Sequence, residues 1–378
     1  MSSTSRDIPV LNGIRGLAVL IVFASHASNI FFQGALIGWG GGQLGVMLFF
    51  MLSGFLMAHL YVSSPASAFA QRQFLLNRFA RIYPMFAFVV ITCFAVHALD
   101  APIWVYEIKS VWDVLVNLTF VQGYNVLWTI GPEVIFYALF LVLWKIGRHS
   151  KISLILTIIA MAAIAWAPLS VAPTNSLFAL HGKLQYFLVG CLLGIWSETL
   201  VSADLSRKTW AQVAFWICMT VFVVSFPQII RLFVAVPKRL TGDPWPDPWS
   251  FPFYLVVTTG LFVASIIARP WVFTNKIAGF IGKISFSFYL LHFAVLTNVH
   301  PLMPTHPLRS IALSLVITIA LSSLTYFVIE VPTRNAIRRL GAGQLNQNAS
   351  PRLRTPCKKS AVALRQPRAH SRPDPWIR

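Results

Sequence analysis

The stretch LNGIRGLAVLIVFASH, residues 11–26, decides the fold class of this chain. It lies within an apolar run over residues 10–29 that is interrupted by Arg15 and His26. A bilayer core about 30 Å thick requires roughly 20 apolar residues of helix, because each residue adds about 1.5 Å. The run therefore predicts a membrane-spanning helix. A polar N-terminus precedes it and no clear cleavage site follows, so we interpret it as a retained first helix rather than a signal peptide.

Nine further apolar runs of similar length follow along the chain. They cover approximately residues 43–62, 82–99, 127–146, 152–170, 181–199, 210–230, 252–268, 277–298 and 309–330. The apolar segment at 111–121 is too short to span and is expected to be re-entrant or to lie on the membrane surface. The sequence predicts an all-α, polytopic membrane protein with about ten transmembrane helices.

The composition excludes an ordinary soluble domain. Of 378 residues, 57% are hydrophobic and 11% are charged, whereas soluble domains carry about 25% charged residues. The four cysteines, at positions 93, 191, 218 and 357, lack metal-ligand spacing. Neither a disulfide framework nor a metal site is expected.

The net charge of +19 is unevenly placed. Twelve Lys and Arg residues flank the predicted inner ends of the spans and eleven more lie between Arg334 and Arg378, against six at the outer ends. Because cationic flanks stay in the cytoplasm, both termini are predicted to be cytoplasmic. We divide the chain into a membrane domain at 1–335 and a basic tail at 336–378. The tail is expected to be disordered from about Gly341, since it has few large apolar residues.

Two ionisable residues lie within the first predicted span. Arg15 and His26 are eleven residues apart, which is 20° past three full helical turns, so they share one face about 16 Å apart along the axis. Ionisable groups inside spans are costly and are functional candidates by default. The alternatives are an Arg15 that snorkels to the headgroups and a His26 that is a hydrogen-bonded core residue.

A pair of arginines lies at the predicted inner side of the third span. Arg78 and Arg81 are three residues apart and therefore neighbours on one helical turn. Such a pair is either a positive-inside anchor or a phosphate-binding cluster, because each guanidinium offers a planar fork of donors.

Glu133 enters the fourth predicted span, with Trp128 five residues earlier and Tyr137 one turn later. A carboxylate in an apolar helix requires a partner or a cavity, and this one is a candidate to orient a histidine or to bind a hydroxylated ligand.

Two further polar residues lie in the last two predicted spans. His292, among aromatic neighbours, is a weaker candidate that suits a packed core equally well. Glu330 is placed for a structural ion pair with Arg334 at i+4.

Six segments together resemble the acyltransferase 3 family of integral membrane O-acyltransferases, in order across about 330 residues. The matching segments are LNGIRGLAVLIVFASH (11–26), LGVMLFFMLSGFLM (44–57), NRFARIYP (77–84), LWTIGPEVIFY (127–137), GKISFSFYLLHF (282–293) and IEVPTRN (329–335). Met47 departs from the pattern, since many relatives have an acidic residue there. We expect no extracytoplasmic hydrolase-like domain after the last span, and therefore a stand-alone member.

The resemblance implies transfer of an acyl group, commonly acetyl, from cytoplasmic acyl-CoA to a hydroxyl of a carbohydrate or lipid-linked glycan at a bacterial inner membrane. It implies His26 as the catalytic histidine, with Glu133 as a further site member. It also implies that Arg15, Arg78 and Arg81 contact acyl-CoA or have a structural role. No permanently bound cofactor is expected, and outer loops near residues 33–43 and 237–252 are expected to recognise the acceptor.

Two other classes of function remain open from the sequence. The first is a transporter or flippase for a glycolipid or polar solute, with Arg15, His26 and Glu133 along its pathway. The second is a scaffold whose basic tail binds anionic lipid, which deletion after Arg339 would test. A nucleic-acid role is not expected, because no folded nucleic-acid-binding domain or aromatic platform accompanies the tail.

Overall fold

The computed structural model describes residues 8–35, 37–38, 40–166, 183–202, 205–230, 232 and 251–349. In these ranges the chain is helical, without strands. The helices are α1 Pro9–Phe32, α2 Gly41–Met57, α3 Ala68–Ala98, α4 Val111–Leu118, α5 Ile130–His149, α6 Lys151–Trp166, α7 Leu184–Ile195, α8 Ser197–Ser202, α9 Thr209–Val224, α10 Pro227–Ile230, α11 Phe251–Ala268, α12 Trp271–Thr274, α13 Lys276–Val299, α14 Pro307–Thr325 and α15 Val331–Ala349.

Six helical segments in the described part are long and apolar enough to cross a membrane. They are Pro9–Phe32, Gly41–Val62, Ala68–Ala98, Asn125–His149, Lys276–Leu302 and Pro307–Leu340. Four shorter apolar helices, Lys151–Ile164, Leu184–Ile195, Thr209–Val224 and Pro252–Ala268, coincide with the other four predicted spans. The all-helical class is confirmed, while the count of ten spans and the orientation of the termini stay predictions.

The helix ends follow from local sequence. Pro9 occupies the first turn of α1, where its missing N–H costs nothing. The same helix ends at Gln33, whose backbone is left-handed at φ 50°. The side chain of Ser67 caps α3 by accepting from the amide of Ala70, and that of Asn275 caps α13 in the same way.

Helix α4 lies within the short apolar segment predicted at 111–121. It spans eight residues and exposes Val111, Trp112 and Leu115. Ser110 and Asp113 form a reciprocal capping box at its start. The Ser110 hydroxyl donates to the Asp113 carboxylate and holds its pKa below the ordinary value.

The site is built on α1, which packs mainly against α13 and α2. Gly282 on α13 allows the close approach to α1, because a Cβ there would lie 1.9 Å from the carbonyl oxygen of Asn12. Helix α2 approaches α7 equally closely at Gly54, where a Cβ would lie 2.0 Å from the carbonyl oxygen of Phe187. Met47, on α2, is completely buried.

Helix α15 packs along α3 and runs to Ala349, so the first residues of the predicted tail are helical. Residues 350–378, with Cys357, lie outside the described residues, as does most of the predicted loop at 237–252.

Candidate active site

Two neighbouring cavities lie between the helices. The first, here called the arginine cavity, has a volume of about 60 Å³, and its polar lining comprises Arg15, Ser53, Arg81, Thr129, Glu133 and Ser285. The second, here called the histidine cavity, has a volume of about 220 Å³, and its polar lining includes Ser25, His26, Asn29, Gln43, Asn125 and Trp128. Of the sequence-predicted residues, Arg15, Arg81 and Glu133 line the arginine cavity, and His26 and Trp128 line the histidine cavity. The other four, Arg78, Tyr137, His292 and Glu330, line neither.

Glu133 is the carboxylate of the arginine cavity. Its Oε1 accepts hydrogen bonds from the hydroxyls of Ser53, at 2.8 Å, and Tyr137, at 2.6 Å. Arg15 and Arg81 line the same cavity, and Arg15 also donates to the side chain of Asn12 at 3.4 Å. The three charged groups leave one net positive charge facing the cavity, which suits an anionic ligand.

Glu133, near the start of its span, was a candidate to orient a histidine or to bind a hydroxylated ligand. It lines the arginine cavity, whereas His26 lines the other one. The helical segment begins at Asn125 with a 3₁₀ turn that continues into α5, and Glu133 lies in the first turn of α5.

Arg78 and Arg81 have different surroundings, although they lie on one turn. Arg81 lines the arginine cavity. Arg78 is buried, and its guanidinium carbon lies 5.5–5.9 Å from the ring centres of Tyr61, Phe74 and Tyr137. Cation–π attraction of this kind fixes a guanidinium in place. Arg78 thus holds positive charge behind the cavity rather than in its lining.

The C-terminal helix brings further charge to this end of the site. The predicted ion pair is present, with Arg334 Nη1 3.7 Å from Glu330 Oε1, and Ser287 also donates to Glu330. Arg338, exposed and one turn further along α15, lies close enough to Arg78 and Arg81 for their charges to repel. The arginines of α15 therefore lie close to those of α3.

His26, which lines the histidine cavity, lies beside a second histidine that is buried behind it. Its ring centre is 5.3 Å from that of His292 and 4.9 Å from that of Phe293. His292 is fully buried, and its Nδ1 lies 2.7 Å from the carbonyl oxygen of Tyr289. Because a carbonyl only accepts, Nδ1 carries the proton, and in the neutral ring Nε2 is a free acceptor. His292 therefore combines core packing with a place next to His26.

Trp128, in the lining of the histidine cavity, is in contact with a lysine. The Nζ of Lys183 lies 4.8 Å from the centre of the Trp128 ring, in cation–π geometry. The Tyr289 hydroxyl donates to the carbonyl oxygen of Val126 at 3.1 Å, which ties α13 to the segment that precedes α5.

Sequence reasoning missed several of these residues. Ser53 lies in an apolar segment, and its role depends on a partner eighty residues away. Tyr289 lines both cavities, and nothing in its local sequence sets it apart from nearby aromatic residues. Arg338 was counted only as part of the basic tail. Among the described residues, no three His, Cys, Asp or Glu side chains are placed to hold a metal ion.

Long apolar helices that enclose buried arginines, a carboxylate and two histidines define a multi-pass membrane protein with a polar site between its spans. Comparison with known proteins specifies the class further. The model of the acyltransferase domain called acyltransferase 3 matches residues 8–327, and the chain belongs to this family.

Curated relatives carry matching names. O-acetyltransferase OatA of Staphylococcus aureus strain NCTC 8325 is 24% identical over 365 residues, which cover 87% of this chain and 57% of OatA. A putative O-acetyltransferase of S. aureus strain MRSA252 is also 24% identical, over 91% of this chain and 59% of its own length. The chain thus spans under three fifths of these relatives. No solved structure matches it.

Proposed function

We propose that this protein is a membrane O-acetyltransferase that moves an acetyl group from cytoplasmic acyl-CoA to a hydroxyl of a glycan or glycolipid. The observation that carries the proposal is the adjacency of the two cavities, one with two arginines and the other with a histidine. The family and the names of the relatives support acyl transfer. A bacterial inner membrane is the location that we propose.

The donor is assigned to the arginine cavity. Acyl-CoA carries several phosphate groups, and guanidinium groups bind phosphate through charge-assisted, often bidentate hydrogen bonds. Arg338 and Arg334 would meet the phosphates near the surface, while Arg81 and Arg15 are the cations deeper in the site. Glu133 would stabilise the packing of the helices around this cavity through its hydrogen bonds with Ser53 and Tyr137, and it would take no part in proton transfer.

The acceptor is assigned to the histidine cavity, whose lining combines amide side chains, which hydrogen-bond hydroxyls, with the flat apolar ring of Trp128. His26 would be the general base, since a neutral imidazole accepts a proton near neutral pH. The acceptor oxygen attacks the thioester carbonyl and forms a C–O bond while its proton passes to His26. The C–S bond breaks, and the CoA thiolate leaves and recovers that proton from the imidazolium.

A transporter for a glycolipid or polar solute is the second candidate, because two adjoining polar cavities would also line a pathway. Inverted membrane vesicles that contain the protein, supplied with acetyl-CoA labelled in the acetyl group, separate the two candidates. The acetyltransferase releases free CoA and moves label into membrane glycan. Movement of solute without release of CoA would support the transporter and refute our proposal.

A further inference from the structure

Two side chains line both cavities. Val46 on α2 and Tyr289 on α13 face the arginine cavity on one side and the histidine cavity on the other. Both are buried, with 5% and 6% of their surface exposed. They are therefore the partition between the two compartments.

The partition is held rigidly. The Tyr289 hydroxyl donates to the carbonyl oxygen of Val126, and the Tyr289 ring meets that of Phe49 edge to face at 6.1 Å between centres. The main chain of Tyr289 is fixed as well, since its carbonyl accepts from His292. Val46 is β-branched and has one strongly preferred rotamer in a helix. Neither side chain can turn away without losing contacts.

The chemistry requires the acyl group to pass this partition. The donor phosphates are assigned to the arginine cavity, while the proposed base lies in the histidine cavity, about 16 Å from Arg15 along α1. We infer that Val46 and Tyr289 select the acyl chain by length and admit acetyl in preference to longer acyl groups. This inference rests on the proposed acetyltransferase function and adds its donor specificity.

The size of the cavities agrees with such a limit. The arginine cavity, at about 60 Å³, has less than a third of the volume of the histidine cavity, at about 220 Å³. A longer acyl chain is therefore obstructed in the arginine cavity or at the partition, and not in the histidine cavity. Each extra methylene at such an apolar constriction is discriminated by roughly 10- to 200-fold in kcat/KM.

The test compares Val46→Ala with the wild type, using acetyl-CoA, propionyl-CoA and butyryl-CoA as donors in membrane vesicles. Because butyryl has two more methylenes than acetyl, the wild type should use butyryl-CoA at least about 100-fold less well than acetyl-CoA, and Val46→Ala should reduce that ratio of kcat/KM values by about tenfold. Val89→Ala removes the same atoms at a buried position of α3 that lines neither cavity, and should keep the wild-type ratio.

A second variant tests the partition from the opposite direction. Val46→Phe should block acetyl transfer, because the larger ring closes the passage between the cavities, while the variant should still bind CoA through its unchanged arginines. An unchanged donor ratio in Val46→Ala, with acetyl transfer intact in the wild type, would overturn the partition and leave the acetyltransferase proposal standing. A wild type that consumes no acyl-CoA would overturn both.

Discussion

Replacing Gly282 by alanine should separate the two helices that carry the histidine pair. The added Cβ would lie 1.9 Å from the carbonyl oxygen of Asn12 and 2.6 Å from its carbon, both backbone atoms of α1. An ordinary contact is about 3.4–4 Å, so α13 would have to move by more than 1 Å. Overpacking of this kind costs about 1–3 kcal/mol in the free energy of unfolding.

Gly279→Ala is the matched control for Gly282→Ala. It lies on the same helix, one turn earlier, and its Cβ would meet no atom within 4 Å. Alanine there should be neutral or stabilising by up to about 1 kcal/mol, because glycine weakens a helix interior. Thermal unfolding of both variants in lipid nanodiscs is the assay. The reasoning about the α1–α13 contact would be refuted if Gly282→Ala unfolded at the same temperature as Gly279→Ala.

Two predictions concern the arginine cavity. Glu133→Gln keeps the shape of the side chain but weakens two hydrogen bonds to a charged acceptor, by about 1 kcal/mol each. Thermal unfolding should show this loss of stability in Glu133→Gln but not in the control Glu198→Gln, whose side chain is exposed. Equal stability of the two variants would contradict the stabilising role of the two hydrogen bonds to Glu133. Arg81→Gln should raise the KM for acetyl-CoA by about tenfold or more, because a charge-assisted phosphate contact is lost. Steady-state kinetics check this, with the exposed Arg148→Gln expected to match the wild type, and an unaltered KM in Arg81→Gln would refute the donor assignment.

The sequence predicted those parts of the fold that depend on local pattern. The apolar runs indicated where the long helices lie, and the helical period placed Arg15 and His26 on one face of α1 at a distance that spans both cavities. The i+4 spacing of Glu330 and Arg334 was enough to predict their ion pair. These features are fixed within a few helical turns, so no tertiary information was required.

The division of the site into two cavities depended on packing between distant helices. Glu133 was a candidate to orient a histidine or to bind a hydroxylated ligand, and its hydrogen-bond partner Ser53 lies on α2, eighty residues away in the sequence. The partition formed by Val46 and Tyr289 arises from the way α2 and α13 lie beside α1. The spacing of apolar residues predicts which face of a helix is buried, but it does not predict which helix packs against that face.

The claim that this membrane protein acetylates a glycan through His26 is tested most directly by mass spectrometry of surface glycans and glycolipids. Cells with the wild-type protein, with His26→Ala and with the exposed control His149→Ala are compared at equal membrane levels of the protein. We predict one acetyl-sized mass difference that is present with the wild type and the control and is absent with His26→Ala. Full acetylation in cells that carry His26→Ala would contradict the account.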